Sequence, residues 1–176
     1  MLITKKIEID AGHRVYNHKS KCFSPHGHRY VIEVGVDDKL IRRAGTSSEG
    51  MVMDFGDIKE ILMEEIDGKF DHSFIIFEKD YLMKFLLIDC VKLLKDGKLK
   101  GIAYSNISDY NRIMAQLSMN GRALKVVLVN FIPTAENLAK HWYKVLRVRL
   151  QKKNIKIAYV KVWETPSSTA TYNGKE

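Results

Sequence analysis

The sequence predicts a single α+β domain, residues 1–176, built from four strands and two main helices. Three observations carry that prediction. Apolar and polar residues alternate over residues 2–13 and again from about His26 to Val36, the period-two signature of half-buried strands. Two later segments, opening near Asp54 and at Pro133-Thr134, space their apolar residues as helices do. And 176 residues suffice for one well-packed core but not comfortably for two.

Each element follows from its residues. In the first strand Ile3, Ile7, Ile9, Ala11 and His13 share one parity, with Glu8 and Asp10 on the other. A polar loop, Val15 to Pro25, leads to the second strand, where His26, His28, Tyr30, Ile32, Val34 and Val36 share a face. Residues 37–50 read as a turn-rich connection. Met51 to Phe55 leads into a helix with Ile58, Ile61, Leu62 and Ile66 at helical spacing, Asp54 or Asp57 as its cap and Gly68 as its end. Residues 79–123 form a variable insert with a helical stretch around Leu82, Phe85, Leu86 and Leu93, ended by Gly97. Leu124 to Phe131 is a β-rich apolar run. Thr134 caps a second helix with Glu136 in its first turn and Leu138, Trp142, Val145 and Leu146 as its apolar stripe. His141 reads as a partly exposed helix residue rather than a ligand. The last strand, Ile155 to Trp163, carries Ala158, Val160 and Val162 on the parity of Glu164, which puts a carboxylate at its inner end.

Bulk composition narrows the function. Hydrophobic residues at 45% and charged residues at 28% are ordinary for a soluble globular protein. No apolar run approaches the roughly 20 residues that span a bilayer, and Met1 to Lys6 shows no signal-peptide pattern, so no membrane partner and a cytoplasmic location are expected. Two cysteines, Cys22 and Cys90, make no disulfide framework; Cys90, in an amphipathic stretch, reads as an inert buried thiol. The net charge of +8 suits either nucleic acid or a small polyanion. Its lysines and arginines are spread along the chain, with no arginine-rich tail and no nucleic-acid motif, so direct nucleic-acid binding is not expected.

The chemistry concentrates in Cys22-Phe23-Ser24-Pro25-His26-Gly27-His28, with His13 just upstream. Residues two apart on a strand point the same way, so His26 and His28 approach one ion together. His13 joins them if the first two strands are antiparallel neighbours. Three imidazoles and an open position describe a catalytic zinc rather than a closed structural one. Three unrelated histidines are the plain alternative; a shared inward parity and the His-Gly-His pair argue against it. Gly27 would let backbone or ligand pass close to the site. Cys22 is either a fourth zinc ligand or a thiolate base or nucleophile beside the metal, and its place in a polar loop favours the second. Asp71-His72 is either an acid/base imidazole held by a carboxylate, its own neighbour or one across an interface, or simply a turn pair. Glu164 is either a surface ion-pairing residue or a ligand anchor.

Taken in order, Asp10-Ala11-Gly12-His13-Arg14, Cys22-x-x-x-His26-Gly27-His28, Met53-Asp54-Phe55, Phe70-Asp71-His72, Pro133-Thr134-Ala135-Glu136-Asn137 and Trp163-Glu164-Thr165-Pro166 resemble the 6-pyruvoyltetrahydropterin and 6-carboxytetrahydropterin synthase superfamily. Each stretch is weak alone; the ordered set is specific and spans nearly the whole chain. The resemblance implies the tunnelling fold (T-fold), an antiparallel four-stranded sheet with two main helices on one face plus a helical insert near 79–123. It implies Zn2+ at His13, His26 and His28, and proton transfer by Cys22, Asp71 and His72. It implies a pterin ring held by Glu164 with Thr134, Ala135 and Glu136 nearby, and a homo-oligomer, commonly a hexamer, with sites between subunits. Three residues between the cysteine and His-Gly-His look like the 6-carboxytetrahydropterin branch, since the pyruvoyl branch usually has a longer gap. That branch converts 7,8-dihydroneopterin triphosphate to 6-carboxy-5,6,7,8-tetrahydropterin with release of acetaldehyde and triphosphate, a step towards 7-deazaguanines such as queuosine. The pyruvoyl reaction and a non-catalytic zinc or pterin-binding module are the alternatives. Residues 79–123 depart from the short members of the superfamily.

Overall fold

The computed structural model describes residues 1–86 and 125–175. Strand β1 (Leu2–His13) pairs antiparallel with β2 (His26–Asp37) along its whole length, with Leu2 opposite Asp37 and His13 opposite His26. Strands β3 (Ser73–Phe77), β4 (Val126–Val129), β5 (Ile157–Thr165) and β6 (Ser168–Tyr172) complete one sheet in the order β4-β3-β1-β2-β5-β6. The α+β class stands, but the sheet has six strands rather than four and is not wholly antiparallel: β3 runs parallel to both β1 and β4. Both additional strands are inconspicuous in sequence. The run Phe74 to Phe77 is apolar without alternation, and β6 is the short polar edge segment Ser-Thr-Ala-Thr-Tyr.

The first helix, α1 (Phe55–Leu62), starts where Asp54 accepts the Gly56 amide at 2.6 Å, so Asp54 is its cap, while Asp57 lies in the first turn. Gly68 does not end it. Helical backbone continues through a π-helical stretch, Met63–Asp67, and a last turn, Gly68–Phe70. Gly68 stays right-handed at φ −55°, and the burial of Ile66 and Phe70 rewards carrying the helix on. Helix α2 (Ala135–Gln151) opens at Thr134, whose hydroxyl accepts the Asn137 amide at 3.4 Å. Buried Glu65 meets Lys69 and Arg149, tying the end of the first helical segment to α2. In the insert, Tyr81–Lys84 forms one helical turn capped by Asp80; residues 87–123, with Cys90, Leu93 and Gly97, lie outside the described residues, as does Leu124 at the start of the predicted apolar run.

Both helices pack on one sheet face. Ile7, Ile9 and Ala11 of β1, Tyr30, Ile32, Val34 and Val36 of β2, and Val160 and Val162 of β5 share a core with Ile58, Ile61, Leu62, Leu138, Trp142, Leu146 and Leu150. Val145 of the predicted stripe is only half-buried. Ala158 is also not on the inward row. The β2–β5 register shifts between Gly35 and Val36, which pair with Tyr159 and Ile157, so Ala158 is the extra residue of a bulge and Ile157 takes the core position. The opposite face carries the exposed Lys6, Glu8 and Arg29. Trp142 is fully buried, edge-on to Phe70 at 5.5 Å. Trp142→Ala is expected to cost about 3–5 kcal/mol, a large share of a domain's roughly 5–15 kcal/mol. Urea unfolding with the midpoint lowered at constant slope is the measurement; an unmoved midpoint would remove Trp142 as a core anchor. Among the described residues no helix is long and apolar enough to cross a membrane.

Candidate metal centre and active site

The antiparallel β1–β2 register sets His13 opposite His26 and Ala11 opposite His28. Parity then turns all three imidazoles to the helix-covered face. Their ring centroids lie 4.5 Å (His13–His26), 5.3 Å (His13–His28) and 5.0 Å (His26–His28) apart, and one ring nitrogen from each lies within 4.8 Å of the others. Gly27 eases this approach: a Cβ there would stand 3.1 Å from the Ala11 carbonyl oxygen, tighter than an ordinary contact.

The tautomers of two rings are set by backbone. A carbonyl can only accept, so His13 donates from Nδ1 to Pro133 O at 2.6 Å, and His26 donates from Nδ1 to Ser24 O at 2.8 Å. Each keeps a lone pair on Nε2, the usual arrangement of a metal-ligating histidine with a second partner behind it. Burial lowers the His13 pKa to about 4, with the neighbouring imidazoles adding to the effect and the Pro133 carbonyl opposing it. Burial also lowers that of His28, against the pull of Glu164. Neutral imidazoles are what a metal needs. The Tyr30 hydroxyl stands 3.1 Å from His13 Nε2, and burial holds its pKa far above the ordinary phenol value, so it remains a neutral donor. The donor set fits a divalent metal: three histidines, each with one ring nitrogen within 4.8 Å of the others, with Cys22 outside the cluster.

The Pro133 contact also anchors the start of α2 against this site. Thr134, Ala135 and Glu136 therefore line the same cleft of about 210 Å³ as Cys22, Glu164, His18 and the β6 residues Ser168 and Thr169. Glu164 comes from the end of β5, its Oε1 3.7 Å from His13 Nε2 and 3.9 Å from His28 Nε2. Cys22 sits in the 3₁₀ turn Lys21–Phe23, half-buried, with its carbonyl accepting the Val15 amide at 2.8 Å. The cleft thus lines up a thiol and a carboxylate, and that carboxylate lies against the histidine cluster.

Asp71 and His72 lie elsewhere. His72 borders a second hollow, of about 420 Å³, whose wall includes Asp10, Gly12, His28 and Arg29. Asp71 accepts the Asp10 amide at 2.8 Å with one oxygen and His72 Nδ1 at 2.6 Å with the other. Burial pushes the Asp71 carboxyl up, but those two donors outweigh it and leave its pKa below the ordinary value. His72 is held in the left-handed region at φ 54°, its amide donating to the Asp10 carbonyl at 2.7 Å. For a residue with a Cβ that conformation carries strain, which backbone and carboxylate bonds offset. The result is an oriented imidazole with Nε2 facing solvent, its side chain 78% exposed. Within one chain it does not share the cleft that Cys22 lines.

His141 is a half-buried helix residue against Phe70 and Phe131, its pKa lowered by burial and by Lys69 and Lys144. Three residues near the site had no sequence signal of their own: Tyr30, hidden among the apolar residues of β2, and the buried pair Arg14 and Asp80.

Comparison with known proteins agrees with this geometry. The sequence model of the 6-pyruvoyl tetrahydropterin synthase family matches residues 2–175. A 6-carboxy-5,6,7,8-tetrahydropterin synthase of Rickettsia felis is 32% identical over 165 residues, 93% of this chain and 94% of that protein. One of Aquifex aeolicus is 32% identical over 189 residues, 97% of this chain and 96% of its own. Among solved structures, an uncharacterized protein of Wolinella succinogenes superposes with a TM-score of 0.70 at 25% identity, covering 99% of this chain and 98% of that one. The 6-pyruvoyl tetrahydropterin synthase of Caenorhabditis elegans has the same fold, with a TM-score of 0.58 at 18% identity over 99% of this chain and 96% of its own. With its T-fold sheet, its ordered motifs and a match along almost its full length, the chain belongs to the 6-pyruvoyl tetrahydropterin synthase family.

Proposed function

We propose that this chain is a zinc-dependent 6-carboxy-5,6,7,8-tetrahydropterin synthase, converting 7,8-dihydroneopterin triphosphate to 6-carboxy-5,6,7,8-tetrahydropterin with release of acetaldehyde and triphosphate. The observation that carries the reading is the convergence of His13, His26 and His28 beside a cleft that also holds Cys22 and Glu164. The relatives from Rickettsia felis and Aquifex aeolicus bear that enzyme's name, and the three-residue gap between Cys22 and His26 supports the same branch.

Zinc, when bound by the three histidines, supplies Lewis acidity at the hydroxyls of the substrate side chain. The remaining work falls to this chain's residues. Glu164 accepts two donors from the amide and amino edge of the pterin, a bidentate contact that fixes the ring. The start of α2 at Thr134, Ala135 and Glu136 closes the cleft around it. Cys22 as thiolate takes a proton from carbon, and His72, oriented by Asp71, exchanges protons as its partner. Because Cys22 and His72 line separate hollows of one chain, the reading includes a homo-oligomer, a hexamer by family resemblance, in which a second copy supplies the imidazole. The exposed Leu128 on edge strand β4 is consistent with such packing. The product would feed 7-deazaguanine synthesis in the cytoplasm.

Incubating zinc-loaded protein with dihydroneopterin triphosphate and identifying products by mass tests the reading. Acetaldehyde with the 6-carboxy product is the expected result. Triphosphate elimination with the two-carbon fragment retained would mean the pyruvoyl reaction, and substrate bound but unchanged would mean a binding module. Glu164→Ala is expected to weaken pterin binding by at least about tenfold through the loss of charge-assisted hydrogen bonds. Its zinc content should be unchanged; equal substrate affinity in titration calorimetry would remove Glu164 from the site.

A further inference from the structure

Arg14 and Asp80 are buried charged side chains, 7% and 3% exposed, that the chemistry above does not use. They form a forked pair: Arg14 Nε donates to Asp80 Oδ2 at 2.5 Å and Nη2 donates to Oδ1 at 2.7 Å. The remaining Nη1 reaches the Phe23 carbonyl at 3.4 Å, and the guanidinium lies over the Phe23 ring, 5.0 Å from its centre. Asp80 is held in turn, its amide donating to the Phe77 carbonyl at 2.8 Å and its Oδ1 accepting the Met83 amide at 3.2 Å.

The covalent neighbours give this pair its meaning. Arg14 directly follows His13 of the metal-binding cluster, and Phe23 directly follows Cys22. The Val15 amide closes the loop between them on the Cys22 carbonyl at 2.8 Å. One guanidinium therefore fastens the end of the ligand strand to the turn that bears the thiol, and Asp80 fastens both to the end of β3 and the start of the 79–123 insert. A buried ion pair is a poor device for stability alone, because apolar residues of similar volume often serve as well. What the fork adds is direction, since a planar guanidinium bound at two oxygens has little freedom to rotate.

We propose that Arg14 and Asp80 are positioning residues for Cys22: the pair sets the thiol's turn relative to the histidine cluster and ties it to the end of β3 and the helical turn Tyr81–Lys84. The proposal rests on the reading of Cys22 as the catalytic thiol. Two variants of the full chain test it. Arg14→Lys keeps the charge and loses the fork. Arg14→Met combined with Asp80→Leu removes both charges, so no lone charge is left buried to unfold the chain. Measurements are zinc per chain, thermal midpoint, kcat and KM with the pterin triphosphate, and the rate of iodoacetamide alkylation at Cys22, read by peptide mass apart from Cys90. The expected result is unchanged zinc and a folded chain with kcat lower by up to about 100-fold, the effect of a ~1 Å misplacement, and KM within about twofold. Cys22 should be alkylated faster as its turn loosens. A folded double variant with the parent's kcat and the parent's alkylation rate would overturn the proposal, and Arg14→Lys decides in the same way if the double variant does not fold. A parent that leaves the substrate unchanged would defeat the proposed function instead, while the alkylation rates still decide the positioning role.

Discussion

Cys22→Ala is expected to keep its metal and lose turnover, with kcat down by about 10²- to 10⁴-fold, the range for removing a proton-transfer group. The metal part of the expectation comes from geometry. Among the described residues the cluster able to hold an ion consists of His13, His26 and His28, and the thiol is not among its converging atoms. The turnover part comes from where the thiol is instead: on a 3₁₀ turn, half-buried, in the cleft shared with Glu164 and the start of α2. In the proposed reaction a substrate held by Glu164 shares that cleft with the thiol. The paired measurement is zinc per chain by elemental analysis and kcat by product mass. Loss of zinc with the thiol would make Cys22 a ligand and end its role as base. Cys22→Ser sharpens the test, because a hydroxyl of nearly the same size is a far weaker acid and cannot replace a thiolate at neutral pH.

The histidine cluster was legible in the sequence because it rests on the simplest periodicity there is. His13 lies on the parity of Ile7 and Ile9, and His26 and His28 lie on that of Ile32 and Val34, so burying those isoleucines and valines fixes where the imidazoles point. Thr134 and Asp54 were readable as caps for an equally local reason. What stayed hidden depends on partners distant in sequence. Strand β3 has no alternation, and its parallel place beside β1 is set by Ala11 meeting Ser73 across a long crossover. The bulge at Ala158 exists only because β5 must match β2, and it reverses the parity expected for Ile157. Gly68 looked like a helix stop, yet the helix continues because Phe70 has a core to reach. The Arg14–Asp80 pair joins residues 66 positions apart. Asp71 and His72 stood out as a pair, but the separation of His72 from the cleft of Cys22 within one chain could be seen only once strand faces were assigned.

His26→Ala and His13→Ala should both abolish stable metal binding, but with different effects on the apo protein. Each removes one of three imidazoles whose ring nitrogens converge, so each should weaken metal affinity by more than the roughly 10- to 100-fold that loss of a supporting partner costs. His26 is half-buried and donates to the carbonyl of Ser24, which water can reach once the ring is gone. The apo form of His26→Ala should therefore be about as stable as the parent's apo form. His13 is 1% exposed, and its Nδ1 serves the Pro133 carbonyl at the start of α2. Its loss leaves that acceptor without its donor and a cavity beside Tyr30, so the apo protein should lose about 1–3 kcal/mol for the acceptor alone. Melting with and without zinc separates the two effects. The parent should gain stability from excess metal, by about 2.7 kcal/mol when free zinc is 100 times its dissociation constant. Neither variant should gain at the same concentration, and only His13→Ala should begin lower. A full zinc-dependent shift in His26→Ala would show that the ion is held without the second strand's first imidazole, and the three-histidine centre would have to be abandoned.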